Sequence, residues 1–358
     1  TESGSFTMTT ISLGSAFESV GNASNGYRSA SFDKFCRSLE GVRSRVEAQY
    51  AGAIYPEGSV LAGQTFSAAN GGINKYSADV MVPAFLQTYT HSGRGSLALF
   101  PTLSQLLPNW SFRYSGLSRL PWLRDIFKSV NINHAYKSIF SVGSYSSFSS
   151  YQSYMNNLGF ITNTNTNTPV PSSMYNVSMV SINESFSPLL GVDVTLHNNL
   201  TTRLEFRSTR VLALSMTSVQ INESTSKDWV LGLGYRINQF KLFCVSKTPH
   251  SKNKNNSNNN TSNNNKSVNG VNNSLNLRMD MSYRQQASIT RDIASQTSNA
   301  NMGNTAFKLS FLADYTLSRL VSMSFYYDVQ SNVPLLSNNS YPTTTQDFGF
   351  SFKFSLTR

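Results

Sequence analysis

Cysteine and histidine are scarce in this sequence, which has two cysteines and four histidines among 358 residues. The histidines are His91, His134, His197 and His250. None of them has a second histidine or a cysteine at the spacing of a metal site. No Gly-x-Ser-x-Gly nucleophile motif is present, and the carboxylates are dispersed. The sequence therefore predicts no enzyme, no cofactor and no metal.

Long apolar runs are also missing. No stretch approaches the roughly 18 consecutive apolar residues that a transmembrane helix requires, so any membrane crossing has to use strands. Charged residues make up 13% of the chain and aromatic residues 12%, a balance that suits a barrel of alternating strands better than a helical protein. Residues 1–14 lack the basic and apolar regions of a signal peptide, so we expect a fragment whose export signal lies upstream.

The net charge of +11 raises the question of a nucleic-acid partner. The Lys and Arg residues are scattered, however, and form no basic stripe with interleaved aromatic residues. We therefore expect a solvated surface, or one that faces anionic lipid head groups, and no nucleic-acid partner. Cys36 and Cys244 lie in dissimilar segments, so the cysteines decide neither a disulfide nor a compartment.

Alternation of apolar and polar residues is the strongest pattern in the sequence. Successive side chains on a strand point to opposite faces, so each alternating segment predicts a strand with one apolar and one polar row. The apolar rows include Phe348, Phe350, Phe352, Phe354, Val321, Met323, Phe325, Tyr327, Leu275, Leu277, Met279, Trp229, Leu231 and Leu233. The polar rows include Lys353, Asp328, Lys308, Asp314, Arg278, Asp280, Arg284, Arg236, Arg203 and Glu205.

A soluble β-sandwich shows similar alternation, so two architectures have to be compared. The apolar rows contain no Asp, Glu, Lys or Arg, and lipid enforces such exclusion because a charge at the bilayer midplane costs about 2–4 kcal/mol. The rows are also long, whereas ordinary strands average about five or six residues. We therefore predict an all-β fold, an antiparallel up-and-down transmembrane β-barrel segment of about a dozen strands.

The predicted connections fit this up-and-down order. Tight reversals are expected at Asn198-Asn199, Ser208-Thr209 and Ser318-Arg319. Longer polar links are expected at residues 163–171, 220–227, 285–304 and 331–344. Short turns on one side and long loops on the other are typical of outer-membrane barrels. The Asn-rich stretch at about residues 247–272 is low-complexity and predicted to be disordered, and strand counting assigns it to the periplasmic side.

The helical period replaces this alternation between residues 31 and 50. Apolar residues recur there at spacings of three and four, namely Phe32, Phe35, Leu39, Val42 and Val46. A second helix is expected to start near Ser77 or Asp79. We interpret residues 31–95 as a helical and irregular insertion, packed on or inside the barrel, between the strands of residues 1–30 and 96–358. A surface loop with accidental periodicity is the alternative.

Short motifs within this pattern resemble one family. They include Leu107-Pro108-Asn109-Trp110, His134-Ala135-Tyr136-Lys137-Ser138, Phe186-Ser187-Pro188-Leu189 and Gly232-Leu233-Gly234-Tyr235-Arg236. In this order, and over most of the chain from about Asp33 onward, they resemble the C-terminal barrel region of the outer-membrane translocon of the type IX secretion system, the SprA or Sov family. The family-motif residues of most interest are Pro108, Asn109, Trp110, His134 and Tyr136.

The resemblance implies transport without chemistry. Such translocons are integral outer-membrane proteins that pass folded cargo across the outer membrane of Bacteroidota-type bacteria, and some also support gliding motility. It implies that the polar rows line the lumen and that the apolar rows meet outer-membrane lipid or partner subunits. The implied partners are cargo proteins with a C-terminal signal, a cargo-shuttling barrel and a periplasmic plug protein. Because family members are several times longer, the resemblance makes this chain the closing portion of a larger barrel.

Two other functions stay open at this point. One is a nutrient-uptake barrel of the plugged type, which requires a complete barrel and an N-terminal plug. The other is a secreted, β-rich surface adhesin, in which the charge-free rows are buried between two sheets.

Overall fold

The computed structural model describes residues 2–90, 95–155, 158–163, 165–238, 240, 273–317, 320–336 and 340–355. Antiparallel β-sheet predominates, which confirms the predicted all-β class, and the described helices all precede residue 125. Within the described ranges, no helix combines the length and the apolar character needed to cross a bilayer.

The strands are long. In chain order they are β1 (Ser3–Thr9), β2 (Trp110–Tyr114), β3 (Phe127–Ser147), β4 (Gln152–Met155), β5 (Leu158–Thr162), β6 (Pro169–Ser173), β7 (Tyr175–Leu196), β8 (Leu200–Ser215), β9 (Gln220–Asn238), β10 (Ser274–Asp292), β11 (Thr297–Thr316), β12 (Val321–Pro334) and β13 (Thr343–Phe354). One large sheet has the spatial order β1, β3, β7, β8, β9, β10, β11, β12, β13, and β2 also pairs with β3. From β7 to β13, each strand therefore pairs with the next along the chain.

The two edges of this sheet do not meet. Among the described residues, β1 and β2 pair only with β3, and β13 pairs only with β12. The sheet is therefore open between these edges. The remaining strands, β4 to β6, form a small separate sheet.

The strand register places the predicted apolar rows on one face of the large sheet. Directly paired residues of antiparallel strands share a face. Met279 pairs with Leu233 and Phe311, Phe311 pairs with Tyr327, and Tyr327 pairs with Phe348. The other predicted apolar residues continue this face, and the predicted polar rows take the opposite one. We call these the apolar face and the polar face.

A helical layer, here called the cap, covers one end of the apolar face. Its helices are α1 (Leu13–Ala16), α2 (Ala30–Gln49) and α3 (Ala78–Tyr89), and a short α4 (Pro121–Arg124) lies outside it. The cap consists of residues 10–90 and 95–107 together with β4 to β6. It is wider than the predicted insertion of residues 31–95, because the segment from Thr10 to Ser29 and the side chains of Leu99 and Phe100 belong to it.

Both predicted helices are present, and their apolar residues explain their position. The stripe of α2, from Phe32 to Val46, is buried, and the Ser29 hydroxyl caps this helix by accepting a hydrogen bond from the Phe32 amide at 3.3 Å. Every residue of α3 from Val80 to Leu86 is buried, because the helix lies between α2 and the sheet. The shared core joins these helices to Ile182 and Leu212 of the sheet. The cap thus packs on the apolar face.

Three predicted connections are wrong. Ser208-Thr209 lies inside β8, residues 220–227 begin β9, and residues 285–304 span the end of β10 and the start of β11. At these levels both faces of the strands carry polar residues, so the alternation disappears although the backbone pairing continues. The actual reversals are tight turns at residues 216–219 and 293–296. Short turns therefore lie at both ends of the sheet. The predicted arrangement, with short turns on one side and long loops on the other, does not hold.

The predicted reversal at Asn198-Asn199 is confirmed, since it joins β7 to β8 and Asn199 has a φ of 66°. The reversal predicted at Ser318-Arg319 and the Asn-rich stretch at 247–272 lie outside the described residues.

Candidate functional site

Beyond the exposed Lys227, the part of the apolar face of β8 to β13 that the cap leaves open is free of charged residues. We call this part the apolar band. On β8 to β13 it begins at Phe206, Trp229, Tyr283, Phe307, Val329 and Phe348 and ends at Leu200, Ile237, Leu275, Tyr315, Val321 and Phe354. Every position of the band is described, and none is Asp, Glu, Lys or Arg. Phe348, Phe350, Phe352 and Phe354 are 63–72% exposed. A continuous apolar patch of this size marks an interaction surface.

Aromatic side chains form the border of the band that faces the cap. On five of its strands the band residue nearest the cap is aromatic, namely Phe206, Trp229, Tyr283, Phe307 and Phe348. The next residues on the same face are polar: Ser208, Lys227, Gln285, Thr305 and Gln346. The rings of Phe206 and Trp229 stack with centroids 4.3 Å apart. Rows of aromatic residues at the edges of an apolar band are typical of barrels at the membrane–water interface.

The dimensions of the band also fit a bilayer. From Leu275 to Tyr283 the band extends about 27 Å along β10, at roughly 3.4 Å per residue. At the usual strand tilt of about 40° this corresponds to about 21 Å across a membrane, close to the roughly 25 Å apolar height of outer-membrane barrels.

The polar face behind the band carries dense charge. Glu205 lies between Arg203 and Arg207 and forms ion pairs with both. Arg284 contacts Asp228 at 2.8 Å, and the side chain of Arg278 contacts Asp280 at 2.7 Å. The predicted residues Lys308, Asp314, Asp328, Lys353 and Arg236 lie on this face too.

Two glycines make room for these long side chains. Gly232 pairs directly with Arg203 on one side and Asp280 on the other. At Gly234, a Cβ would stand 2.6 Å from the Thr201 hydroxyl. The Gly-x-Gly sequence is therefore explained by crowding on the polar face, without a phosphate-binding loop.

Under the cap, the apolar face carries buried charges in pairs. Glu184 and Arg210 contact each other at 3.0 Å, with side chains only 2% and 8% exposed. The Glu184 carboxylate also accepts hydrogen bonds from the hydroxyls of Ser12 at 2.6 Å and Tyr136 at 2.9 Å. Arg210 donates to the carbonyl and hydroxyl oxygens of Ser15. The pair thus binds the first segment of the cap to the sheet, because Ser12 of that segment contacts Glu184 and Ser15 contacts Arg210, while Arg210 Nε has no hydrogen-bond partner among the described residues.

A second pair has the same arrangement. Arg291 is fully buried and contacts Glu223 at 2.7 Å. Its guanidinium donates to the backbone carbonyl oxygens of Tyr27 and Val20 and lies 5.7 Å from the ring centre of Phe32. This pair holds the cap at the entrance to α2.

Sequence reasoning missed both pairs, although a signal was present. Arg210 has the same strand parity as Phe206 and Leu212, and Glu184 has the same parity as Ile182 and Phe186. A charge on an apolar row is costly in lipid and in a protein core unless it is paired. Such positions predict a place where the row leaves lipid and meets another layer of protein.

The family-motif residues come together where the start of β2 pairs with the middle of β3. The rings of Trp110 and Tyr136 stack at 4.4 Å, and Trp110 Nε1 donates a hydrogen bond to His134 Nε2 at 3.1 Å. His134 Nδ1 lies 2.6 Å from the Leu189 carbonyl oxygen, so Nδ1 carries the ring proton. Asn109, which follows Pro108, accepts a hydrogen bond from the Ser138 amide at 2.8 Å. The cluster fixes β2 against β3 and β7, and both ring nitrogens of His134 are occupied.

The described residues contain no arrangement suited to metal or thiol chemistry. Within these ranges, no group of three or more His, Cys, Asp or Glu residues could hold a metal ion. His197 Nε2 lies 2.9 Å from the Arg124 carbonyl oxygen. Burial in α2 raises the pKa of the Cys36 thiol to about 11, which keeps it neutral at physiological pH. His91, His250 and Cys244 lie outside the described residues.

Comparison with protein-family models and with curated proteins found no match to this chain.

Proposed function

We propose that the large sheet is part of the wall of an outer-membrane β-barrel, with the apolar band toward lipid and the polar face toward the lumen. The observation that carries this proposal is the charge-free band, which is in register over six strands and bordered by aromatic residues. Lipid selects for this combination, because it penalises each charge on the outer face and favours aromatic rings at its boundary.

A surface adhesin is less well supported. In a β-sandwich, a second sheet about 10 Å away buries the apolar face of the first. Within the described residues, the cap covers only one end of the apolar face, and the phenylalanines of β13 are mostly exposed. An uncovered apolar surface of this size calls for lipid or for another protein.

Among barrels, we propose the protein-conducting channel of the type IX secretion system, of which this chain forms a C-terminal part. The ordered motifs that resemble this family support the proposal, and so does the open sheet, which requires further strands to close. Its lumen passes folded cargo proteins with a C-terminal signal, and its partners are a cargo-shuttling barrel and a periplasmic plug protein. A plugged nutrient-uptake barrel is the second candidate.

The lipid assignment is tested by two adjacent substitutions on β13. Phe352 is 63% exposed on the apolar face, and Ser351 is an exposed neighbour on the polar face. In water, arginine at either position disturbs no packed core. We expect Phe352→Arg to reduce the amount of protein in the outer membrane sharply, and Ser351→Arg to leave it near wild type, as measured by fractionation and immunoblotting of the full-length protein. Equal amounts of both variants in the membrane would contradict the assignment.

Transport is tested in the same two strains. We expect the Phe352→Arg strain to retain cargo proteins with a C-terminal signal in its periplasm, and the Ser351→Arg strain to release them into the medium. Normal cargo release together with defective uptake of a nutrient in the Phe352→Arg strain would favour the plugged barrel instead.

A further inference from the structure

The cap contains a cavity of about 700 Å³, which is within the size range of small-molecule sites. It lies between the C-terminal end of α2, the start of α3, β6 and the segment of residues 96–100. Its wall includes Val46, Tyr50, Asp79, Leu97, Phe100 and Tyr175. The wall is mainly apolar and aromatic, and among the described residues that line it Asp79 is the one with a charged side chain.

Asp79 is enclosed by protein, yet part of its side chain faces the cavity. One carboxylate oxygen accepts a hydrogen bond from the Ser173 amide at 3.0 Å. Burial raises the pKa of this carboxyl, and the hydrogen bonds from Ser173 only partly oppose that effect. No ion pair to Asp79 occurs among the described residues. The position at the start of α3 suits a carboxylate. However, an asparagine would accept the same hydrogen bond without a buried charge.

Aromatic residues share the cavity wall with this carboxylate. Phe100 contacts Tyr175 with ring centroids 5.6 Å apart, and Tyr50 packs against Phe160. The hydroxyl groups of both tyrosines are used elsewhere, since Tyr50 donates to the Gly159 carbonyl and Tyr175 donates to the Glu2 carboxylate. These residues therefore present ring surface to the cavity. The faces of aromatic rings attract cations. The tyrosine hydroxyls already have partners, so they offer no hydrogen bond to a ligand.

We propose that the cap cavity is a binding site for an organic ammonium group, held by the Asp79 carboxylate and by the rings of Phe100, Tyr175 and Tyr50. An ammonium ion balances the buried negative charge, while its carbon substituents fill the apolar part of the cavity. A neutral ligand of the same shape leaves the carboxylate without a counter-ion. An anion is repelled by it. The site is independent of the membrane assignment, because the cap lies outside the apolar band.

The ammonium group can belong to a free amine or to the lysine side chain of a peptide. Two pairs of probes distinguish these ligands. Choline is compared with its neutral isostere 3,3-dimethylbutan-1-ol, and Nα-acetyl-lysine methylamide with the same compound acetylated on its side-chain nitrogen. Binding to the purified full chain is measured by ligand-observed NMR with saturation transfer. We expect saturable binding of at least one ammonium compound, and binding at least about tenfold weaker for its neutral counterpart.

Two variants locate the site. Asp79→Asn keeps an acceptor for the Ser173 amide, so we expect it to fold, which circular dichroism checks, and to bind the ammonium probe at least about tenfold more weakly. Glu40→Gln, at an exposed position on α2 outside the cavity, is the matched control and keeps wild-type affinity. Tyr50 and Tyr151 are the described titratable groups coupled to Asp79, and neither ionises in the acid range. The Glu2 carboxylate, which accepts from the Tyr175 hydroxyl, is also acidic, so an affinity that falls with pH in Glu2→Gln as in the wild-type chain reports the Asp79 carboxyl.

Three results would overturn the proposal: no saturable binding of either ammonium probe to the wild-type chain, equal binding to Asp79→Asn, or equal binding of the neutral isosteres.

Discussion

One face of the large sheet has two regions that follow different rules. In the apolar band no charged residue occurs between Leu275 and Tyr283, or at the aligned positions of the neighbouring strands. A few residues further along the same strands, the same face carries Glu223 and Arg291, both almost completely buried. On β8, β9 and β10, strand parity and backbone pairing are continuous between the two regions, so the sheet itself does not account for the difference.

The difference lies in what covers each region. Under the cap, Arg291 meets the carbonyl oxygens of Tyr27 and Val20 in addition to Glu223, so a protein layer supplies the hydrogen bonds that a buried charge needs. Lipid tails offer no hydrogen bonds, so a charge facing them stays unsatisfied. Under the proposed membrane assignment, the position of the first buried charge along a strand therefore indicates where its environment changes from lipid to protein.

The largest expected effect comes from breaking a buried pair under the cap. Arg291→Met leaves the Glu223 carboxylate buried without its partner, and we expect the free energy of unfolding of the cap to fall by about 3–5 kcal/mol. Limited proteolysis at residues 17–29, compared between variant and wild type in detergent, measures the loss.

The double variant Arg291→Met, Glu223→Leu is the control, because it removes both charges. We expect it to regain a large part of the lost resistance to protease. If it is as sensitive as Arg291→Met alone, the stability of the cap depends on the shape of the arginine and not on the pairing of charges.

The second largest effect is expected in the apolar band. Phe325→Arg should destabilise the folded protein in bilayers by about 2–4 kcal/mol, because our proposal places this side chain against lipid. Ser324→Arg, on the polar face beside Asp314, should be tolerated. Urea unfolding of the reconstituted full-length protein from lipid vesicles measures both, and similar losses for the two variants would show that the faces are not distinguished by lipid.

A third prediction concerns the partly buried Cys36 of the cap. With its pKa raised from 9.0 to about 11, the Cys36 thiol should contain about a hundredfold less thiolate at pH 8 than an unperturbed thiol. We therefore expect slow alkylation of Cys36 in a Cys244→Ser background, followed by mass spectrometry, and fast alkylation after denaturation. Because the folded thiol holds its proton to a higher pH than the unfolded thiol, the stability it contributes is lost as the pH rises above about 9.

The smallest effect is expected at the start of α2. Ser29→Ala removes the acceptor for the Phe32 amide, so we expect the cap to lose about 1 kcal/mol in the same proteolysis experiment. Ser29→Thr, which keeps the hydroxyl as acceptor for the Phe32 amide and as donor to Glu18, should keep the wild-type rate of cleavage.

The sequence was informative wherever one face of a strand differs from the other. Met279, Phe325 and Phe352 alternate with polar neighbours, so strands, parity and the common apolar face could be predicted. The pattern fails at Ser224-Thr225-Ser226, where both faces are polar and β9 reads as a loop. These strand ends form through backbone hydrogen bonds. Such bonds leave no alternating pattern of apolar and polar residues in the sequence.

The candidate sites were less accessible to prediction. Arg291 and Glu223 are 68 residues apart, and Glu184 and Arg210 belong to different strands, so their pairing depends on the sheet register. Asp79 was assigned to the start of a helix, which is correct, but the cavity beside it is formed by β6 and residues 96–100, distant in sequence. Sites assembled from several segments become visible only when the chain is folded.

The strands continue well past the aromatic border. From Tyr283 to Asp292, β10 extends about another 30 Å, at roughly 3.4 Å per residue, and β11 returns beside it. With the band in a bilayer, the turn at residues 293–296 lies beyond the lipid head groups. A short peptide epitope inserted after Ala294 therefore reports on which side of the membrane this turn lies. An antibody binds the epitope on intact cells if this end of the sheet points outward.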